Sequence, residues 1–209
     1  MVAGIVADLT DWLDRVSGHW WFLVIIVVIA FLDSVIPIVP SETCVIIGGV
    51  AASQGTQSLL IVIGTAALGA FLGDNTAFLL GVRASDRFHR RAERRPRFAA
   101  KMAWARQQIH ERGGLLLITA RFIPGGRTAL TLSCGITRQR RSWFIRWVLV
   151  ATVIWASYAA LLGRIGGEAF KDDHTKAFLM AFGLAIATNI GIEITRHYVK
   201  RNRAAAATR

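Results

Sequence analysis

The chain has little cysteine, little proline and little acid. Two cysteines, Cys44 and Cys134, lie apart in apolar stretches, and no C-x-x-C occurs. That argues against a thiol metal site or a dithiol redox centre, and both residues are read as small packing groups. Four prolines in 209 residues leave no Pro-rich linker, so one domain is expected. The five histidines, His19, His89, His110, His174 and His197, flank apolar blocks or sit between them. None has metal-ligand spacing, and no metal or other cofactor is implied. A basic leader is also missing: Asp8, Asp11 and Asp14 outnumber Arg15 in the first fifteen residues, the reverse of a secretory n-region.

What is abundant is apolar residue and arginine. Hydrophobic residues make up 54% of the chain, and the net charge is +12 from 25 Lys+Arg against 13 Asp+Glu. Such a charge could suit nucleic acid, but no nucleic-acid motif accompanies it. The arginines lie between apolar blocks, where membrane topology accounts for them. The blocks are Trp20–Leu32 continuing to Pro40, Thr43–Ala52, Leu59–Val82, Leu115–Ile136, Trp143–Leu162 and Ala177–Ile194. A spanning helix needs about 20 residues. The third, fifth and sixth blocks meet that length. The first does so if the turn before Pro37 is counted, and Thr43–Ala52 does not.

Segment 83–112 carries ten basic residues against Asp86, Glu93 and Glu111, and Arg138, Arg140 and Arg141 follow the fourth block. Both flanks of residues 115–136 are therefore expected to be cytoplasmic, so that segment should enter the membrane and return, turning at Pro124-Gly125-Gly126. The C-terminal tail, with Arg196, Lys200, Arg201, Arg203 and Arg209, is expected on the same side. By alternation, 34–53 becomes a second hairpin dipping in from the outer side, and the first block crosses outward from an N terminus inside. The predicted architecture is an all-α integral membrane bundle of the inner membrane. It is an inverted repeat with two re-entrant hairpins, about 34–53 and 115–136, and with interfacial amphipathic helices. Residues 1–17 form an N-terminal interfacial segment, 18–199 the transmembrane domain and 200–209 a basic tail. Segment 83–112, punctuated by Phe88, Phe98, Met102, Trp104 and Ile109, reads as an amphipathic helix on the anionic cytoplasmic leaflet.

Ionisable residues inside apolar blocks are the functional signal. Asp33, Glu42, Asp74, Arg121 and Arg127 are so placed, at about 2.5–3.5 kcal/mol each at a helix centre. The plain alternative is acid–arginine bridges that only hold the hairpins together. For Asp74 it is a bond to neighbouring backbone, beside a small-residue stripe Gly69, Gly73, Ala77 and Gly81 that suits close helix packing. Binding or transport of an anion is the preferred reading. The planar arginine fork suits phosphate, and backbone N–H groups at Gly125 and Gly126 add donors. No phosphatase-like or phosphotransferase-like residue set occurs, so the protein is not read as an enzyme. A homo-oligomer is compatible with the sequence.

Three strings carry a resemblance. Asp33-x-x-x-Pro37-x-x-Pro40-Ser41-Glu42, then Leu72-Gly73-Asp74 with Leu80-Gly81-Val82-Arg83, then Arg121-Phe122-Ile123-Pro124-Gly125-Gly126-Arg127-Thr128 resemble the signatures of the DedA family across roughly residues 20–165. In the second string Val82 separates Gly81 from Arg83. The family includes undecaprenyl-phosphate translocases and shares its core domain with eukaryotic lipid scramblases. The resemblance implies two re-entrant hairpins, essential arginines at Arg121 and Arg127, and membrane-embedded acids at Asp33 and Glu42. It also implies a phosphate-bearing lipid as partner, moved across the membrane with coupling to protons. A phospholipid scramblase and a proton-coupled small-solute transporter are the alternatives.

Overall fold

The structure is a computed structural model describing residues 18–36, 41–123 and 125–169. The expected N-terminal interfacial segment, the sixth apolar block and the basic tail lie outside the described residues. Among the described residues the fold is all-helical. It comprises α1 (Trp20–Val35), α2 (Ser41–Ser53), α3 (Leu59–Glu93), α4 (Pro96–Thr119), a 3-10 turn (Ala120–Phe122), α5 (Gly126–Ile136) and α6 (Arg141–Ala169). Two helices, α3 with 35 residues and α6 with 29, are long and apolar enough to cross a membrane.

These two form the frame, and the shorter helices are positioned against them. Helix α1 runs parallel to α3. At their starts Gln57 Nε2 donates to the carbonyl of His19. Further along, a Cβ on Gly69 would meet Val27 O at 2.3 Å, and one on Gly73 would meet Phe31 O at 2.6 Å. Helix α2 then doubles back. Gly48 lies against Val62 and Ile26, so its last turns return to the level where α3 begins. Helices α1 and α2 thus form a helix–break–helix unit whose broken end reaches residues 70–74 of α3, where Ser34 Oγ donates to Ala70 O. From Leu59 to Asp74 is about 22 Å of helix at 1.5 Å per residue.

The second unit packs against the long helices from the opposite end. Gly113 and Gly114 of α4 lie against Trp143 and Trp147 near the start of α6. The chain breaks after Phe122, and α5 runs back beside α3. There a Cβ on Gly81 would meet Leu132 O at 2.4 Å and one on Gly135 would meet Phe78 O at 2.1 Å. The small-residue stripe therefore packs as expected, serving α1 with its first half and α5 with its second. Helix α6 runs antiparallel to α3 and carries α2 on its far half, with Gly163 against the Ile46 backbone and Gly49 against Ala160.

Two expectations need correcting. The first block was expected to cross, but α1 stops at Val35 after 16 residues, about 24 Å and short of a roughly 30 Å hydrocarbon core. It is the first arm of the broken unit, which begins near residue 20 rather than 34. The chain before Pro37 sufficed by residue count, but the helix itself ends at Val35. Nor is segment 83–112 a separate amphipathic helix. α3 continues through the change from apolar to basic residues as far as Glu93, and α4 starts at Pro96 and runs unbroken into residues 115–119. A change of polarity does not interrupt backbone hydrogen bonding. The break falls instead at Arg94–Arg95, where Pro96 takes a first-turn position that needs no N–H.

The exit from α5 shows a local compromise. Arg138 has φ +51, in the left-handed region, and the amides of Arg138 and Gln139 bond back to Gly135 O and Cys134 O. Glycine usually fills such a position. Arginine costs about 1–2 kcal/mol there, but its side chain reaches α3, donating to Ser85 Oγ at 2.9 Å and to Asp86 Oδ1 at 2.6 Å. Arg138→Gly should therefore leave thermal stability nearly unchanged, strain relief offsetting the lost contacts. Arg138→Ala should be less stable than Arg138→Gly by about 1 kcal/mol, since it keeps the strain without the contacts. Thermal unfolding in detergent checks this. Arg138→Ala matching or exceeding Arg138→Gly would show that the backbone there carries no strain.

Candidate functional site

The two broken ends meet at Asp74, part-way along α3. Asp74 is in the middle of a long helix and 1% exposed. Arg121, in the 3-10 turn, donates from Nη1 to Asp74 Oδ2 at 2.5 Å; the side chains are 2% and 1% exposed. This pair ties the second broken end to α3. The bond to neighbouring backbone considered from sequence for Asp74 is thus replaced by an ion pair spanning 47 positions. The Arg121 guanidinium carbon lies 5.4 Å from the Trp155 ring centroid on α6, a cation–π distance.

Arg127 lies in the first turn of α5, where Gly125 (φ +67) supplies the left-handed residue that starts the helix. A Cβ on Gly126 would meet the Ile123 side chain at 2.8 Å, so both glycines are needed to fold the chain sharply beneath Arg127. Arg127 Nη2 donates to Asp33 Oδ2 at 3.0 Å, and its Nε lies 3.6 Å from Asp74 Oδ1. Asp33, near the end of α1, also accepts from Ser41 Oγ at 2.6 Å. Thr128 Oγ1 of α5 donates to Ser34 O of α1 at 3.0 Å. One carboxylate thus joins the last turn of α1, the first residue of α2 and the start of α5.

Four of the expected charged residues, Asp33, Asp74, Arg121 and Arg127, therefore form one network of two acids and two bases. Gly125 and Gly126 stand beside it. Glu42 is in the first turn of α2, partly buried and adjacent to Ser41. Sequence reading missed Ser34, Ser41, Thr128 and Trp155. Hydroxyls and an indole fit an apolar block without raising its cost noticeably, so none was given a role, although Ser41 and Thr128 stand inside the strings that carry the resemblance.

The members of the network differ in access. Arg121 and Asp74 are closed off, whereas Arg127 and Asp33 are 11% and 20% exposed. Among the described residues Arg121 Nε, Arg121 Nη2 and Asp74 Oδ1 are buried and have no hydrogen-bond partner. Helices α2 and α5 both begin at this point, so two helix N-termini, each with partial positive charge, converge on it. No group of three or more His, Cys, Asp or Glu side chains that could hold a metal occurs among the described residues.

Residues 36–165, which run from α2 through most of α6 and hold Asp74, Arg121 and Arg127 but not α1 with Asp33, match the VTT domain. The chain belongs to the VTT-domain, or DedA, family. It is similar to the inner membrane protein YohD of Escherichia coli K12, 26% identical over 166 residues, covering 77% of this chain and 83% of that one. An uncharacterized membrane protein of Haemophilus influenzae is 28% identical over 166 residues, covering 76% and 75%. Undecaprenyl phosphate transporter A of Staphylococcus aureus is 25% identical over 167 residues, covering 78% and 80%. No solved structure matches this VTT-domain chain. The chain is a membrane protein, as its relatives are.

Proposed function

We propose that this VTT-domain protein moves a phosphate-bearing lipid across the bilayer, with Arg127 as the group that receives the phosphate. The observation that carries this reading is the Arg127–Asp33 pair, which joins the ends of two broken helical units and is the more exposed pair in the network. In this reading the α1–α2 unit and residues 115–136 are re-entrant hairpins of an inverted repeat, meeting near the bilayer midplane. Discontinuous helices whose N-termini converge at mid-depth are a known way to hold an anion inside a membrane protein. The spacing along α6 supports it: from Trp143 to Ile165 is about 33 Å, close to a hydrocarbon core, and Trp155 beside Arg121 lies near half-way.

The network is formally neutral, so a phosphate at Arg127 competes with Asp33 for the same N–H groups. A carboxylate released from its arginine at mid-depth is costly unless it takes up a proton or rebinds elsewhere. Asp33, and Glu42 beside Ser41, are the candidates for proton exchange. Glu42→Gln, which mimics the protonated form, should keep lipid binding but lose the response of transport to an imposed pH gradient in proteoliposomes. If that variant responds as wild type does, coupling passes to Asp33.

The basic end of the bundle is read as cytoplasmic, which places His19 and Gln57 together at the outer face. That differs from the inward start expected for the first block, because α1 enters and returns on one side. Cysteines placed at Arg94, Arg112 and Arg140 should label from one face, and one at Gln57 from the other, once Cys44 and Cys134 are replaced. Labelling of 112 and 140 from opposite faces would sink the hairpin reading.

The lipid itself is tested by separate assays in one liposome system. The name of the S. aureus relative makes a polyprenyl phosphate the first substrate to try. Selective movement of that lipid supports the proposal; equal movement of phosphatidylcholine would make the protein a general scramblase. Movement of neither, with a functional control in the same vesicles, would overturn lipid transport.

A further inference from the structure

Four helices reach a common level at the basic end. Arg138, after α5, is bonded to Ser85 and Asp86 of α3. Gly113 and Gly114 of α4 lie against Trp143 and Trp147 of α6. Around this level stand Arg83 and Arg87 of α3, Arg112 of α4, Arg140, and Arg141 and Arg146 of α6, all exposed. Asp86 is committed to Arg138, and Glu111 accepts from Gln107. Among the described residues the opposite end has no such excess: near it Arg164 is paired with Glu168, and Trp20 and Trp21 are exposed beside His19.

Tryptophans mark the depth. Trp147 is 37% exposed and Trp20 76%, one near each end of the bundle, and indoles concentrate at the two headgroup levels of a membrane protein. The arginine collar at the Trp143–Trp147 end therefore sits among lipid headgroups. At that depth its neighbours are lipids rather than soluble macromolecules. Basic clusters between helices at a cytoplasmic face suit anionic headgroups, at about 1 kcal/mol per arginine, and the arginine fork suits phosphate oxygens.

We propose that this collar is a binding site for anionic lipid headgroups, separate from the network at Asp74 and positioned at the base of the second broken unit. It rests on the chain spanning a membrane, and not on what the chain transports. Positive charge needed only for topology would require no particular arrangement. A site requires the arginines at Trp depth and not those further along α3.

That difference supplies the test. Two variants of the full chain each lose four positive charges. One replaces Arg83, Arg112, Arg140 and Arg141 by Gln. The other replaces Arg90, Arg91, Arg94 and Arg95, about 8–15 Å beyond Ser85 along α3 and its exit. Purified proteins are exchanged into mixtures of phosphatidylglycerol and phosphatidylethanolamine, and retained lipids are counted by native mass spectrometry. Circular dichroism and thermal unfolding confirm that both variants are folded. Wild type should retain phosphatidylglycerol preferentially, and the preference should fall with salt. The collar variant should lose at least about tenfold of that preference, a cautious figure for four arginines at about fivefold each. The distal variant should keep most of it. Equal loss in both variants would reduce the effect to net charge and overturn the site, as would no preference in wild type. Arg127→Gln is the third arm. Preference surviving Arg127→Gln supports the collar, and loss there would assign the retained lipid to the Asp74 network, leaving the transport proposal standing and this one overturned.

Discussion

Asp74→Ala should destabilise the protein by about 3–5 kcal/mol, the usual result of leaving one charge of a buried pair without its partner. Arg121 would then keep its positive charge buried inside the bundle with only Trp155 and the more distant acid Asp33 to offset it. The second broken end would also lose its attachment to α3. The informative companion is the double replacement Asp74→Leu with Arg121→Met, which removes both charges while keeping apolar bulk. Buried pairs contribute little against well-packed apolar side chains, so the double variant should recover most of the lost stability without recovering transport. Unfolding in detergent, read by circular dichroism, gives the first quantity, and the liposome assay the second. A double variant as unstable as Asp74→Ala would show that the pair does more than satisfy itself. A double variant that transports normally would remove the Arg121–Asp74 pair from the mechanism.

The second large effect is expected at Arg127. Arg127→Lys keeps the charge and loses the planar fork that lets one side chain face Asp33 and Asp74 together, with Nη2 at 3.0 Å from one and Nε at 3.6 Å from the other. An ammonium is a point charge on a flexible stem and cannot reproduce that pair of directions. Transport of the phosphate lipid should fall at least tenfold, about 1.4 kcal/mol of binding or barrier. Stability should change by less than for Asp74→Ala, because Arg127 and Asp33 are partly exposed and screened. Wild-type transport in Arg127→Lys would mean that the site needs balanced charge only. Arg121→Lys separates the roles further. If Arg121 is mainly a pin, its loss should lower stability and transport together, whereas Arg127→Lys should lower transport alone.

Most of the charged network was legible because its members violate the composition of their surroundings. An arginine or aspartate inside an apolar block costs several kcal/mol, and a sequence that keeps five such residues announces a site. Which acid meets which base was not legible. Asp74 and Arg121 are 47 positions apart, and nothing in either block fixes their distance until α3, α4 and the 3-10 turn are packed. Asp74 was accordingly under-read, although it contacts both arginines. The helix break near Pro124 was legible, because Pro-Gly-Gly interrupts a helix by chemistry. The end of α1 at Val35 was not legible, because the apolar run continues past it, and α1 declares its place only by where it meets α3. Ser34 and Trp155 were silent for a different reason, since neither is out of place in a helix core.

The glycines of α3 have a further consequence for how this sequence can vary. At Gly69, Gly73 and Gly81 the room for a side chain is already occupied by a neighbouring helix's backbone, with oxygens at 2.3–2.6 Å from where a Cβ would stand. Such contacts cannot be relieved by turning a rotamer. Saturation mutagenesis of α3 should therefore return a ladder of intolerance with rungs at 69, 73 and 81, while Gly64, which meets nothing within 4 Å, accepts alanine freely. The lower rungs would fail through α1 and the upper through α5, so second-site suppressors should segregate into two groups, on separate helices, that never substitute for one another.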